Sequence, residues 1–268
     1  MKPAAKHSGF TLVELAIVLV LIGLIVGAVL VGQDLVKAAT IRSSVGEFEK
    51  YNAAATTFRG KYGGLPGDLS QPKAVEFNLS AAADANATGA VGLRDGNGLI
   101  EGGAAGASNL IGEIALFWKD LGATGLIAGT YPAAGTTLAT GANVTAATVS
   151  GYLPRSRLRE TIAHFVYSAQ GRHYFYLAAI TTDGAAAVTP ANAVTAFEAK
   201  TIDEKMDDGL PTSGVVVSMT DLVTTNPGAA AASTVCNTNA TPSLYNVSSA
   251  ATGAAETQVC QLRLNTAF

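Results

Sequence analysis

Residues 9–33 read GFTLVELAIVLVLIGLIVGAVLVGQ, and this stretch decides how the rest of the chain must be organised. No charged side chain occurs between Leu15 and Gly32. An uncharged run of about 18 residues is long enough to cross the hydrocarbon core of a bilayer as a helix. No comparable run follows, because the mean hydropathy of +0.31 owes much to alanine scattered through polar sequence. The sequence therefore predicts one membrane span, with everything after Gln33 in water.

The residues ahead of the apolar run form a basic leader of a particular kind. Lys2 and Lys6 give it positive charge, as in a secretory signal, but an ordinary signal is cut behind its apolar region at an Ala-x-Ala-like site. No clear site of that kind follows this run. The junction Gly9-Phe10, with Glu14 at the fifth position after the glycine, instead resembles the leader junction of type IV prepilins and of the pseudopilins of type II secretion.

The resemblance implies a processing route and a set of partners. In this family a prepilin peptidase cuts after the glycine, here Gly9, and the new N-terminal residue, here Phe10, is N-methylated. Residues 1–9 are then a removable leader, while residues 10–33 stay behind as a helix in the bacterial inner membrane. The implied partners are other pilin subunits and an inner-membrane assembly platform. The final location is a pilus on the cell surface or a periplasmic pseudopilus.

Glu14 needs a physical account, because a carboxylate within an apolar span costs about 2.5–3.5 kcal/mol on insertion scales. One interpretation is that Glu14 lies near the end of the helix and that its side chain reaches the membrane interface. The other follows from the resemblance, which implies that Glu14 pairs with the positive amine of Phe10 on a neighbouring subunit. A simple membrane anchor would not explain the glutamate.

Three glycines mark the span and its end. Gly23 and Gly27 lie four residues apart and Gly32 follows near the end, a spacing that allows helices to pack closely. Each glycine also lowers helix stability by about 0.5–1 kcal/mol relative to alanine. In related pili this stretch can loosen within the filament, often beside a proline, but this chain has Val31 at the matching place.

Beyond the span, the pattern predicts that the helix continues over residues 34–62. Apolar residues there recur at helical spacing on one face, and the charged residues are free to face water. The stripe comprises Ile41, Val45, Phe48, Ala55, Phe58 and Tyr62, and the charged residues are Arg42, Glu47, Glu49, Lys50 and Arg59. Gly63-Gly64 and Pro66 then stop the helix. A helix from Phe10 to Tyr62 is about 80 Å long, more than a compact domain needs.

Residues 63–268 are predicted to form a globular head. Turn residues at 64–69 lead to a short helix at about 108–121, in which Trp118 is expected in the core. Segments 163–168 and 173–181 are typical of a β-hairpin. A helix is expected from Thr189-Pro190 to about Asp207, because proline suits the first helical turn. Residues 215–217 add a strand, and residues 122–150 and 224–257 are predicted loops.

The order helix, loop and antiparallel sheet predicts an α+β fold. Its long N-terminal helix, membrane-spanning in its first half, packs on a C-terminal antiparallel sheet with long loops, as in a pilin.

Cys236 and Cys260 are the only cysteines and both follow the predicted span. An even pair in an oxidising compartment indicates a disulfide, and many pilins carry a C-terminal disulfide loop that this pair resembles. A metal-binding pair is the alternative, although no histidine lies near either cysteine in sequence.

The segment from Asp95 to Glu101 presents a second choice. Asp95, Asn97 and Glu101 surround two glycines in a pattern that resembles the middle of a calcium loop, so calcium is the one cofactor that the sequence suggests. The match is partial, because the first and twelfth ligand positions would fall on Leu93 and Ala104. A plain Asn-Gly turn fits the residues better.

Composition restricts the remaining functions. The formal charge of −3 falls to −5 if the leader is removed, because Lys2 and Lys6 leave with no acid, and this argues against general nucleic-acid binding. After processing only His164 and His173 remain as histidines, and no nucleophile, zinc or phosphate-loop motif occurs. The chain is therefore not expected to be an enzyme.

Three functions remain open. The first and favoured one is a structural filament subunit, a major or minor type IV pilin. The second is a pseudopilin of a type II secretion system, against which the size of the head and its long loops argue mildly. The third is a membrane-anchored periplasmic binding module or enzyme that does not polymerise.

The junction predicts that the mature chain begins at Phe10. N-terminal mass spectrometry of membrane or filament fractions should find Phe10, with a methyl group on its amine. An intact Met1 in filaments, or cleavage beyond Gly32, would contradict the leader assignment.

Overall fold

The computed structural model describes residues 12–79, 94–102, 110, 112–131, 149, 151–169, 171–183, 188–219, 236–238, 243–247 and 258–268. Four helices and six strands lie within these ranges. The helices are α1 (Leu12–Tyr62), α2 (Gln71–Glu76), α3 (Glu113–Ala123) and α4 (Ala196–Met206). The strands are β1 (Ile162–Ala169), β2 (Arg172–Asp183), β3 (Val188–Ala191), β4 (Val194–Thr195), β5 (Val216–Met219) and β6 (Gln258–Asn265). The chain divides into two compact units, Met1–Thr40 and Ile41–Phe268.

In the first unit, the described residues belong to α1 and keep their apolar side chains exposed. Every large apolar residue from Leu12 to Val36 is at least half exposed. In the best window of 18 residues the mean hydropathy is 3.1 and no residue is buried. By length and composition this helix can cross a membrane, as the sequence predicts.

In the second unit, the remainder of α1 buries one face. The predicted stripe is confirmed, since Ile41, Phe48, Ala55 and Phe58 are buried and Val45 and Tyr62 pack against the core. Ser44, Tyr51 and Ala54 share this face. The predicted end at Tyr62 is also confirmed, because Gly63 follows with φ +70 and donates to the carbonyl of Arg59 at 2.9 Å.

Glu47 departs from the expectation that it faces water. Its Oε2 lies 3.2 Å from Nε2 of His164 and accepts a hydrogen bond from the backbone N–H of Arg157 at 3.1 Å. Glu47 therefore joins α1 to β1 and to the segment before it.

The sheet is antiparallel and is arranged around β2 and β6. The predicted hairpin is confirmed: β1 pairs with β2 from Ile162 opposite Ala179 to Ala169 opposite Arg172. The last strand, β6, pairs with β2, β4 and β5, and β3 pairs with β2 further along. The predicted strand at 215–217 is present as β5, whereas β6 was not predicted.

The helix predicted from Thr189 begins later, and that prediction is wrong at its N-terminus. Residues 188–191 form β3, in which Pro190 lies opposite Ile180. Proline is tolerated on an edge strand such as this one. The helix α4 starts at Ala196 because Thr195 and Glu198 form a capping box: the Thr195 hydroxyl accepts from Glu198 N–H and the Glu198 carboxylate accepts from Thr195 N–H.

The helix predicted at 108–121 also begins later than expected. Gly112 has φ +65 and precedes the first helical residue, Glu113, while Ser108 lies outside the described residues. Trp118 is buried, as predicted, together with the apolar residues Leu110, Ile114, Phe117 and Leu121.

The predicted disulfide joins Cys236 to Cys260, with Cα atoms 5.2 Å apart. Both cysteines are fully buried. The bond ties residues 236–238 to β6. Within the sheet, Cys260 of β6 lies opposite Val194 of β4. It anchors a segment in which Asn237 pairs with Tyr245 and accepts a hydrogen bond from the Ser218 hydroxyl of β5 at 2.8 Å.

Replacing either cysteine should destabilise the head by about 3.5 kcal/mol, the chain-entropy value for a closed loop of this size. Cys236→Ser, Cys260→Ser and the double variant should show similar losses, because each removes the same bond. Chemical unfolding under oxidising conditions measures this, and non-reducing peptide mapping of the wild type should recover the linked peptides. Two free thiols in protein recovered from the periplasm would contradict the assignment.

Candidate functional site

The residues predicted to act in processing and assembly belong to the N-terminal segment. Gly9 and Phe10 lie outside the described residues. Glu14 is in the first turn of α1, where a negative charge is favourable to the helix dipole. A Cβ atom added at Gly23, Gly27 or Gly32 would meet nothing within 4 Å. Packing within the described chain therefore does not require glycine at these positions.

A second group of polar side chains lies close together in the head, where the loop after α1 meets α3. Leu65 and Leu69 are buried and hold the loop in place. Gly67 has φ +82, and a Cβ on it would come within 2.3 Å of the carbonyl oxygen of Glu113. Only glycine allows this approach. The backbone contact brings the next residue, Asp68, to the first turn of α3.

The loop 94–101 packs against the same place. Glu113 accepts hydrogen bonds from the backbone N–H groups of Asp95 at 3.3 Å and Glu101 at 3.1 Å. The backbone N–H of Gly98 donates to Oδ2 of Asp68 at 3.0 Å. These contacts place three carboxylates from distant parts of the sequence together, and Asp68, Asp95 and Glu113 are named here the acidic cluster.

The acidic cluster is compact and largely buried. One carboxylate oxygen from each residue lies within 4.8 Å of the other two. Asp68 is 3% exposed and Glu113 is fully buried. Two ionised carboxylates at that separation repel by about 3.5 kcal/mol at an effective dielectric constant of about 20.

Burial and this repulsion raise the pKa of both buried acids. Burial, together with the Asp95 charge, raises the pKa of Asp68 to about 7. Burial and the charge of Asp68 raise the pKa of Glu113 to about 9. At neutral pH the cluster therefore favours taking up positive charge, as protons or as a cation.

Of the residues predicted for a calcium loop, the structure places only Asp95 in this cluster. The Asn97 amide donates to Oδ2 of Asp95 at 2.9 Å and to Oε2 of Glu101 at 3.3 Å. Its carbonyl oxygen accepts from the N–H of Leu99 at 2.7 Å. Asn97 thus stabilises the turn of its own loop, and Gly96 and Gly98 supply the positive φ angles that the turn requires.

A buried ion pair fixes the two loops beside the acidic cluster. Arg94 donates through both terminal nitrogens to Asp120 of α3, at 2.9 and 2.5 Å, and both residues are almost fully buried. Oδ2 of Asp120 also accepts from the backbone N–H of Gly67 at 2.8 Å. Because Arg94 pairs with Asp120, its positive charge neutralises the carboxylate of Asp120.

A second acidic group, formed by Asp203, Asp207 and Asp208, lies at the C-terminal end of α4, and one carboxylate oxygen from each lies within 4.8 Å of the other two. Its oxygens accept hydrogen bonds from nearby donors. Asp203 accepts from Gly209 N–H and the Tyr245 hydroxyl, Asp208 from Leu210 N–H and the Ser213 hydroxyl, and Asp207 from Val215 N–H. This group therefore organises the turn between α4 and β5.

The two histidines of the head have structural partners. His164 lies against Glu47, as described, and packs edge-on to the ring of Tyr51 at 5.0 Å. Nδ1 of His173 lies 2.6 Å from the Ser168 hydroxyl. Burial and the charge of Arg59 lower the pKa of His173 to about 4, so it is neutral at physiological pH.

Comparison with known families supports the reading of the N-terminal segment. Residues 4–30 match the prokaryotic N-terminal methylation motif. This is the prepilin-type cleavage and methylation motif of type IV pilins and pseudopilins, so the predicted resemblance is confirmed. The motif implies processing by a prepilin peptidase and assembly with other pilin subunits. No curated protein and no solved structure matches the chain significantly.

Sequence reasoning did not identify Asp68, Glu113, Arg94 or Asp120 as a group. Their separations along the chain follow no known ligand spacing, and only the folded loops bring them together. A usable signal was the presence of Asp68 between two apolar leucine positions in Leu65-Pro66-Gly67-Asp68-Leu69. An acid in such a segment is expected to be buried, and a buried acid needs a partner.

Asp120→Asn should destabilise the head by about 3–5 kcal/mol, because it leaves the buried Arg94 guanidinium without its counter-charge. Chemical unfolding can be followed through the fluorescence of Trp118, the only tryptophan. Glu204→Gln is a matched control, since it breaks the exposed Lys200–Glu204 pair and should change stability by about 0–1 kcal/mol. Equal stabilities of the two variants would contradict the structural importance of the buried pair.

Proposed function

We propose that this chain is a structural subunit of a type IV pilus, a major or minor pilin that assembles through α1 into a filament. The observation that carries the proposal is the methylation motif at residues 4–30, which runs directly into a helix with exposed apolar side chains. Cleavage after Gly9 would free the amine of Phe10 and would leave α1 as part of the mature chain. The subunit is then held in the inner membrane until the assembly platform adds it to a filament.

The exposed apolar surface of α1 supports this use. Exposed leucine, isoleucine and valine side chains on every face of a helix are unfavourable in water and favourable in lipid. A filament core of packed helices offers a second apolar environment. The open space beside Gly23, Gly27 and Gly32 would allow neighbouring helices to approach closely there.

Glu14 gives the assembly step its specificity. In the lipid the carboxylate lies in the first turn of α1, close to the positive end of the helix dipole. In the filament it would pair with the amine of Phe10 on the next subunit, so that two charges are neutralised in an apolar core. The pairing also sets the axial position of each helix relative to its neighbour.

A pseudopilin of a type II secretion system is the second candidate, because the methylation motif is common to both classes. The size of the head and the long segments that the sequence predicts to be loops support a pilin displayed at the surface. Shearing intact cells and probing the supernatant separates the two: a pilin is released with surface filaments, and a pseudopilin stays with the periplasm and membrane. A chain that never leaves the monomer pool would instead be a membrane-anchored module.

Glu14→Ala and Glu14→Gln should leave the chain cleaved and membrane-inserted but poorly assembled. Insertion is unharmed because a charge is removed from the span. Assembly suffers because the Phe10 amine would enter an apolar core alone, and stranding one charge of a buried pair costs about 3–5 kcal/mol. The measurement is the ratio of sheared filament to membrane-held monomer.

Asp34→Asn is the matched control for this experiment, since it removes one negative charge from α1 just beyond the uncharged run. It should give the wild-type ratio. Normal filament yield from both Glu14 variants would show that Glu14 is not an assembly contact and would favour the membrane-anchored module.

A further inference from the structure

We propose that the acidic cluster of Asp68, Asp95 and Glu113 binds a single calcium ion, which fixes the loop after α1 to the N-terminus of α3. All three ligands lie in the unit Ile41–Phe268. The proposal is therefore independent of whether the chain forms a filament.

The distances suit a calcium ion. Calcium–oxygen bonds are about 2.3–2.6 Å long, so two oxygens on opposite sides of one ion are about 5 Å apart. One oxygen from each of the three carboxylates lies within 4.8 Å of the others. All three can therefore contact one ion without rearrangement of the loops that carry them.

One oxygen in the cluster lacks a donor. Oδ2 of Asp68 accepts from the N–H of Gly98, but Oδ1 is buried and has no hydrogen-bond partner within the described part of the chain. The residue is 3% exposed, so bulk water does not solvate this oxygen. Buried polar atoms are normally satisfied, and an unsatisfied carboxylate oxygen beside two other carboxylates is a position that a cation would fill.

Within the described residues, no basic side chain forms an ion pair with the acidic cluster. Among the ion pairs formed by the described residues, none involves Asp68, Asp95 or Glu113. The nearby Arg94 is held by Asp120 through two hydrogen bonds. The adjoining segments 80–93 and 103–109 contain no lysine or arginine. Burial is the main cause that raises the pKa of Asp68 and Glu113, and the neighbouring carboxylates add to it.

The second acidic group provides a contrast. Asp203, Asp207 and Asp208 are equally close, and each accepts a hydrogen bond from a backbone or hydroxyl donor, as the acidic cluster also does in part, but within the described residues none of their oxygens is buried without a partner, and Asp207 and Asp208 are exposed. Proximity alone therefore does not distinguish the acidic cluster. The acidic cluster differs from this group in its burial and in the unpartnered Oδ1 of Asp68.

The ligand chemistry selects the class of ion. Carboxylate oxygens, with no cysteine or histidine among them, favour a hard cation over zinc or copper. Calcium accepts carboxylates in varied geometry, whereas magnesium demands a near-ideal octahedron and keeps several waters. Two of the three ligands are buried, which leaves little room for such a hydration shell.

The test uses the full mature chain in detergent, freed of metal with a chelator and then titrated with calcium chloride by calorimetry. Extracellular calcium modules bind with a Kd of about 0.1–1 mM, so titration to about 10 mM covers the range. Calcium should bind with a stoichiometry near one and raise the unfolding midpoint by several degrees, because it binds only the folded state. Absence of heat and of any shift in the wild type would overturn the proposal, and so would an equal response to magnesium.

Asp68→Asn makes the test specific. Asparagine keeps an acceptor for the N–H of Gly98 and removes the charge, so the variant without calcium should be at least as stable as the wild type. Its calcium affinity should fall at least tenfold. A merely structural Asp68 would instead give a less stable variant with calcium binding intact, which would overturn the proposal. Asp207→Asn in the second acidic group is the matched control and should keep the full calcium response.

Discussion

The head is held together where α1, α3 and the sheet meet on the ring of Phe175 in β2. Five other aromatic side chains of the described residues pack around it, with ring centroids 5.4 to 6.5 Å away. They are Phe48 and Tyr51 from α1, Phe117 and Trp118 from α3, and Phe268, which follows β6. Aromatic pairs of this kind contribute about 0.5–1.5 kcal/mol each beyond the area they bury. One face of α1 is thus part of the core, and the head is built on the same helix that carries the methylation motif.

That arrangement makes α1 serve two environments in sequence. Up to Val36 its apolar side chains are exposed on every face, and from Ile41 they are confined to one face. The polar and charged residues between these points mark the change. Where α1 ends, the sharp turn at Gly67 brings Asp68 to α3, so the acidic cluster lies at the exit of the helix.

The parts of this fold that sequence predicts are those with strong local patterns. The uncharged run, the stripe on α1 and the hairpin around Gly171 follow from periodicity and turn chemistry. The strand β6 was missed because Cys260-Gln261-Leu262-Arg263 lies beside a low-complexity segment and depends on distant partners. Pro190 was mistaken for a helix start because a proline also suits an edge strand. The acidic cluster needs two loops and the first turn of α3 at once, and no local pattern encodes that.

The position of β6 has a consequence for how the protein matures. Its partners β2, β4 and β5 all precede it in the chain. Each of them lacks one hydrogen-bonded neighbour until residues 258–265 have been synthesised. While the chain is being synthesised, the growing sheet therefore presents open edges that can pair with other chains. A product truncated before Gln258 would keep those edges permanently and would lack Cys260. Only a chain that extends through β6 can therefore complete the sheet.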